Sequence, residues 1–289
     1  MKKTIYFVEF ILIYIFFNIL YFLPINLVSF IGETLFRLIG PLTKSHKTAL
    51  NNYKKVFKNL DNKTVSQDVM NSWGNLGKTF IEISILRKLV SKKNDRIKII
   101  GKEHLTDLIK KKEQVIFFGI HQANWELLVP CLDKIGVKVG AIYRHINNPF
   151  IDRYILKKRS SALTNSETFY TPKGEESARE IIKAINENFS MILLIDQKDS
   201  AGTNVEFLNI RAKTQLGFLK IARKYNLKLI PVQNIREQIN NFSIKFHPPI
   251  EIFEKNISDV EAINKIHGII EKWIIKNPTQ WFWQHNRFG

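Results

Sequence analysis

The stretch IHQANWE, residues 120–126, places a histidine and a glutamate five positions apart, directly after the apolar run Val115-Ile116-Phe117-Phe118-Gly119. An imidazole held by a carboxylate is a general base. The acid fixes the tautomer through one ring nitrogen and supports the charge that forms when the other nitrogen takes a proton. Inside one regular helix, five residues at roughly 100° each would leave His121 and Glu126 about 140° apart and out of reach. The sequence supplies a break: a strand ending at Ile120, His121 in a turn, and a helix starting near Ala123 or Asn124, asparagine being a favoured cap residue. Glu126 in the first turns of that helix is then expected to reach back to His121. No serine or cysteine neighbours the pair in an elbow-like arrangement, so no protein nucleophile awaits activation. The remaining simple use is to deprotonate a substrate hydroxyl for attack on an acyl carbonyl; the bland alternative is a histidine that satisfies a backbone carbonyl.

Short runs rich in Val and Ile must position these groups. RIKIIG, QVIFFGI, VKVGAIY, MILLID and LKLIPVQNI alternate with stretches of helical spacing such as ANWELLVPCLDKIG, NPFIDRYILKKRSS and EESAREIIKAINEN. The spacing predicts an α/β fold, a single domain with a mostly parallel mixed sheet flanked by helices. Ligands of open α/β sheets bind beyond the carboxyl ends of the strands. Three of the runs end in functional side chains there: His121, Arg144 and Asp196. Arg144 is a permanently charged planar fork suited to phosphate, or else an ordinary surface cation; Asp196 is a site carboxylate or a turn cap.

The chain of 289 residues is 45% hydrophobic and 12% aromatic, enough for a sizeable core, and this excludes disorder. Its formal charge of +18 attracts polyanions or an anionic membrane surface. The single cysteine, Cys131, excludes a disulfide framework and a Cys-based metal site, and reads as packing. No metal or cofactor is expected. After Lys2 and Lys3, the segment from Ile5 to Leu23 is interrupted by only Glu9 and Asn18, close to the roughly 20 apolar residues a membrane helix requires. Residues 1–24 are therefore expected to form an uncleaved, single-pass transmembrane anchor. The next segment, INLVSFIGETLFRLIGPL, carries Glu33 and Arg37 and reads as a helix lying in the interface or packed on the domain. A nucleic-acid binder would interleave exposed aromatics with Lys and Arg; here the aromatics fall in apolar runs, so no nucleic acid is expected as partner.

HQANWE resembles the His-x4-Asp/Glu block of the glycerolipid acyltransferase superfamily. YRHINNP (143–149), LLIDQKDSAG (193–202), EFLNIRAKT and the closing QWFWQHNRFG resemble, in order, further blocks of the lipid A biosynthesis acyltransferases, the lauroyl and myristoyl transferases of Gram-negative inner membranes. The resemblance spans nearly the whole chain. It implies a glycerol-3-phosphate acyltransferase-like fold, with residues 25–289 as the acyltransferase domain on the cytoplasmic face of the inner membrane. It implies transfer of a fatty acyl chain from acyl-acyl carrier protein to a hydroxyl of a 3-hydroxyacyl chain on a lipid A precursor, a late acylation. Carried over by residue, His121 is the catalytic base and Glu126 its partner, while Arg144 binds substrate phosphate or steadies the oxyanion. Asp196 and Asn148 complete the substrate-binding set. Both implied substrates are anionic, which gives the basic surface a use; Lys54, Lys55, Lys157, Lys158 and Arg159 are candidates for it, and Trp281, Phe282 and Trp283 are either interface anchors or core. The chain departs from the family in carrying Phe207-Leu208-Asn209 where many members have an aromatic pair and glycine. A glycerophospholipid acyltransferase is the alternative, with TPKGEES (171–177) only loosely like its phosphate segment.

Overall fold

The computed structural model describes residues 2–91, 93–172, 175–238, 240–250 and 257–289. Lys173 and Gly174, the centre of the TPKGEES segment, lie outside them. The first third is helical: α1 (Lys2–Phe22), α2 (Ile25–Ile39), α3 (Lys44–Val56), α4 (Asn62–Glu82) and the single turn α5 (Leu86–Leu89). Strands and helices then alternate as β1 (Ile97–Ile100), α6 (Glu103–Lys111), β2 (Val115–Gly119), α7 (Leu128–Lys134), β3 (Val139–Tyr143), α8 (Pro149–Ser160), β4 (Phe169–Pro172), α9 (Glu175–Asn186) and β5 (Ser190–Leu194). The hairpin β6 (Thr203–Phe207) and β7 (Ile210–Thr214) follows, then α10 (Gly217–Lys224), β8 (Lys228–Arg236), β9 (Phe242–Phe246) and α11 (Asp259–Lys276).

The main sheet has seven strands in the order β1-β9-β8-β2-β5-β3-β4. Every pairing is parallel except β8 with β9, as expected of a mostly parallel mixed sheet. All five residues of the central strand β2 are buried, because helices cover both faces and leave no side for polar alternation. One core cluster joins Phe118, Phe207, Ile266, Trp281 and Trp283 on one face, and a second joins Phe117, Leu128, Ile230 and Phe246 on the other.

Helix α2 packs closely on α4. A Cβ on Gly77 would lie 2.1 Å from the Gly32 carbonyl oxygen, so the two backbones touch in a way only glycine permits. Helix α2 therefore packs on the domain, one of the two placements its composition allowed. Helix α1 is not detached from the domain either: Phe10, Tyr14 and Phe17 pack on Tyr154 of α8, and Asn18 Nδ2 donates to the Tyr154 hydroxyl at 3.4 Å. The outer side of α1 carries Ile5, Val8, Leu12, Ile15 and Ile19, all exposed, and α2 adds Leu27, Phe30 and Leu38. By length and composition, Lys2–Phe22 and the run Ile25–Leu42, which continues α2 through one further turn, are each long and apolar enough to cross a membrane.

The β6–β7 hairpin turns through Leu208 and Asn209, both at positive φ (53° and 58°). This is the twist a two-residue hairpin loop requires, and the departure noted in Phe207-Leu208-Asn209 falls on it. Burial of Leu208 and a hydrogen bond from its N–H to the Glu271 carboxylate at 2.7 Å hold the leucine there.

Candidate active site

Strands β2 and β5 are neighbours in register, with Gly119 opposite Leu194, and the Ile195 N–H donates to the Gly119 carbonyl at 3.1 Å. Two residues beyond each strand end stand His121 and Asp196. His121 Nδ1 lies 2.8 Å from Asp196 Oδ1, and the His121 backbone N–H donates to Oδ2 at 3.0 Å. Trp281 Nε1 donates to the same Oδ2 at 2.7 Å. Three donors thus converge on a carboxylate that is 2% exposed. Burial works against its charge, but His121 and the hydrogen bonds from His121 and Trp281 outweigh it and hold the Asp196 carboxyl below its ordinary value. An ionised Asp196 can only accept, so Nδ1 carries the hydrogen and Nε2 is left with its lone pair. The Gln197 amide nitrogen, 3.3 Å from Nε2, donates to that lone pair.

The carboxylate on His121 is therefore Asp196 and not Glu126, which corrects the pairing expected within IHQANWE. Glu126 is buried and takes a two-pronged ion pair from Arg159 of α8, with Nε to Oε2 and Nη2 to Oε1 both at 2.7 Å. Burial disfavours the Arg159 charge, but Glu126 more than offsets it and raises the guanidinium pKa. Arg159, expected on a solvated basic face, is instead held inside, against the rings of Tyr143 and Tyr170. Asp196, expected to bind substrate, has both oxygens turned to protein. Asn148 is also corrected: its Oδ1 caps α8 at the N–H groups of Phe150 and Ile151, and its Nδ2 donates to the Tyr6 carbonyl and to Glu9 of α1. No part of that amide is left for substrate. Arg144 is exposed where β3 ends, near enough to His285 for its charge to be felt there. Lys54, Lys55 and Lys157 are exposed.

The turn that carries His121 rests on a buried polar hub. Asn124 caps a single helical turn at Trp125–Leu127, accepting the Glu126 N–H at 3.1 Å, so the expected break and cap are present. Ala123 takes φ of 51°, and its carbonyl accepts from Thr79 Oγ1 at 2.7 Å. Asn75, Thr79 and Glu82 lie on one face of α4. Glu82, fully buried, accepts from Asn124 Nδ2 at 2.7 Å, from Ser29 Oγ at 2.6 Å and from both terminal nitrogens of Arg236 at 2.8 and 2.9 Å. Nothing in the sequence marked this set: its members lie in α2, α4, the turn and β8.

The C-terminal tail closes the site. The Phe282 N–H donates to the His121 carbonyl at 3.0 Å, and the Phe282 ring sits 6.0 Å from the imidazole. Trp281 and Trp283 are buried, so of the two readings of the tail these two are core. Cys131 is buried packing, and burial pushes its thiol up to about 12. Among the described residues no group of three His, Cys, Asp or Glu side chains could hold a metal ion.

Burial pushes the His285 imidazole down to about 4; Asp196 works the other way, while His121, Arg287 and Arg144 add to the burial. Its contact demands the same neutral form, because Nε2 accepts the Lys198 N–H at 2.9 Å. Burial likewise pushes His267 down to about 4, against the pull of the Glu206 carbonyl. In the unfolded chain both take protons near 6.5. Their contribution to stability is therefore complete above that pH and lost as pH falls toward 4. The melting temperature is expected to decline steadily between pH 6.5 and 4, and His285→Gln to flatten part of the slope; a flat profile in both proteins would contradict the assignment.

A mostly parallel α/β sheet with an imidazole–carboxylate pair beyond two adjacent strand ends, preceded by two apolar helices, is an arrangement suited to acyl transfer. The chain belongs to the bacterial lipid A biosynthesis acyltransferase family, which it matches over residues 1–289. No curated protein matches it in sequence. A crystal structure of the 1-acyl-sn-glycerophosphate (LPA) acyltransferase PlsC from Thermotoga maritima matches at 14% identity and a TM-score of 0.41, covering 87% of this chain and 94% of that one.

Proposed function

We propose that the protein moves a fatty acyl chain from acyl-acyl carrier protein to a hydroxyl of a 3-hydroxyacyl chain on a lipid A precursor, with His121 as general base. The observation that carries the chemistry is the Nδ1 contact with Asp196, which makes Nε2 the ring's acceptor, held by the Gln197 amide at 3.3 Å until a substrate hydroxyl takes that place. Nε2 takes the proton of the acceptor hydroxyl as that oxygen attacks the thioester carbonyl. The carbon–sulfur bond then breaks, and the imidazolium returns the proton to the departing thiolate, so the products are an ester and a thiol. Glu126 acts through Arg159, which it holds in place; Arg144, exposed at the strand end, is the cation offered to substrate phosphate or to the oxyanion. The charge of +18 supports two anionic substrates, an acidic carrier protein and a phosphorylated lipid, meeting at a membrane surface.

On the same proposal the chain sits at the inner membrane with the α/β domain on the cytoplasmic face, and the apolar N-terminal helices support the membrane placement. The single pass through α1 is proposed in modified form. One side of α1 stays on α8, so lipid meets the outer face of α1 and α2. The test is the purified full chain given an acyl-acyl carrier protein and a lipid A precursor in detergent. A mass gain of one acyl group on the precursor is expected; acylation of a glycerophosphate lipid in its place would overturn the reading.

A further inference from the structure

A row of aromatic rings runs from the lipid-facing helices to the base. Phe36 of α2 stacks on Phe80 of α4, centroids 5.8 Å apart and planes within 15°. Phe80 meets Trp125 edge-on at 6.3 Å, and Trp125 stacks on Phe282 at 5.9 Å. Trp125 and Phe282 then flank the His121 ring at 5.1 and 6.0 Å. Rings of this size are normally withdrawn into the core, yet all of these keep surface, and Phe80 is 40% exposed. Polar groups hold the start of the row: Glu33 pairs with Lys78 at 2.6 Å and with Arg37 at 2.8 Å, and the Gly32–Gly77 contact presses α2 on α4. The row begins on α2 itself, at Phe36, and the same helix exposes Phe30, Leu38 and Ile39.

We infer that Phe36, Phe80, Trp125 and Phe282 form the track along which the alkyl chain of the acceptor lipid leaves the bilayer and brings its hydroxyl to His121. This rests on the proposed function for the identity of the acceptor. The donor does not fit the track: its chain arrives from water on a carrier protein, whereas the row opens on the apolar helices. Partly exposed rings offer a sliding alkyl chain apolar area without fixing its register. Phe80 stands apart from His121 and can be varied without touching the base.

The experiment uses the full chain in detergent micelles, measuring KM for the lipid acceptor and for the acyl donor separately. Phe80→Ala is expected to raise the acceptor KM by roughly tenfold with kcat and donor KM within about twofold of wild type, the pattern of lost uniform binding. Phe80→Leu, which keeps an apolar side chain, restores most of the loss. A rise in donor KM, or an unchanged acceptor KM in a normally melting Phe80→Ala protein, overturns the track. A second measurement needs no turnover: a 3-hydroxyacyl lipid brominated along its chain should quench the fluorescence component that Trp125→Phe removes, and quench it less in Phe80→Ala. Quenching without transfer would sink the proposed acceptor and leave the track standing; absence of Trp125-specific quenching would sink the track.

Discussion

His121→Ala is expected to lower acyl transfer in the purified chain on the order of 10³-fold, the range that a positioned general base supplies. The fold is expected to survive the change, because the His121 side chain is partly exposed and gives up only its contacts to Asp196, the Gln197 amide and the two flanking rings, while Asp196 keeps the Trp281 N–H and the backbone N–H of residue 121. Asp196→Asn should cost nearly as much without removing the base. An amide turned with its NH2 toward Nδ1 makes that nitrogen the acceptor and moves the ring hydrogen to Nε2, where it blocks proton uptake. Since the two residues act as one unit, the double variant should be no slower than the worse single one. Glu126→Ala separates this account from the pairing expected within IHQANWE. In the structure it strips Arg159 of its counter-charge and leaves His121 oriented. Its melting temperature should therefore fall, which a pure loss of base orientation would not cause. The measurement is steady-state transfer beside thermal melts of the four variants; an Asp196→Asn protein with wild-type activity would remove Asp196 from the chemistry.

The sequence indicated which strand ends carry functional groups, but not which strands are neighbours. VIFFGI and MILLID are similar apolar runs, and only the order β2-β5, with Gly119 opposite Leu194, makes His121 and Asp196 adjacent. Parallel pairing is a long-range property that leaves no local spacing to read, whereas a gap of five residues is visible at once; Glu126 was therefore expected where Asp196 stands. Similar reasoning covers Asn148. An asparagine before proline reads equally as a loop ligand or as a helix cap, and the choice depends on α1 lying alongside, which local pattern does not reveal. What is local was readable: the fold class from alternating runs, the apolar α1, and the Asn124 cap.

Glu82→Ala should cost about 3–5 kcal/mol of stability, the usual consequence of removing one member of a buried ion pair. Both terminal nitrogens of Arg236 bond to Glu82, and the two side chains are nearly inaccessible, so Arg236 would be left charged without its partner. Against the 5–15 kcal/mol that typically separates folded from unfolded chains, roughly a third of the margin goes. Chemical denaturation of the single and double variants checks this. Replacing both members with apolar side chains, Glu82→Leu with Arg236→Met, should recover most of the stability, because the desolvation cost of both charges disappears with them. Activity should not recover with it. Asn124 Nδ2 would still lack its acceptor, and the turn that sets His121 against Asp196 would keep the Thr79 bond to the Ala123 carbonyl but lose the side-chain tie of Asn124 to α4. A double variant that is both stable and fully active would mean that the hub serves folding alone, and that Ala123 and its flanking backbone bonds suffice to hold the base.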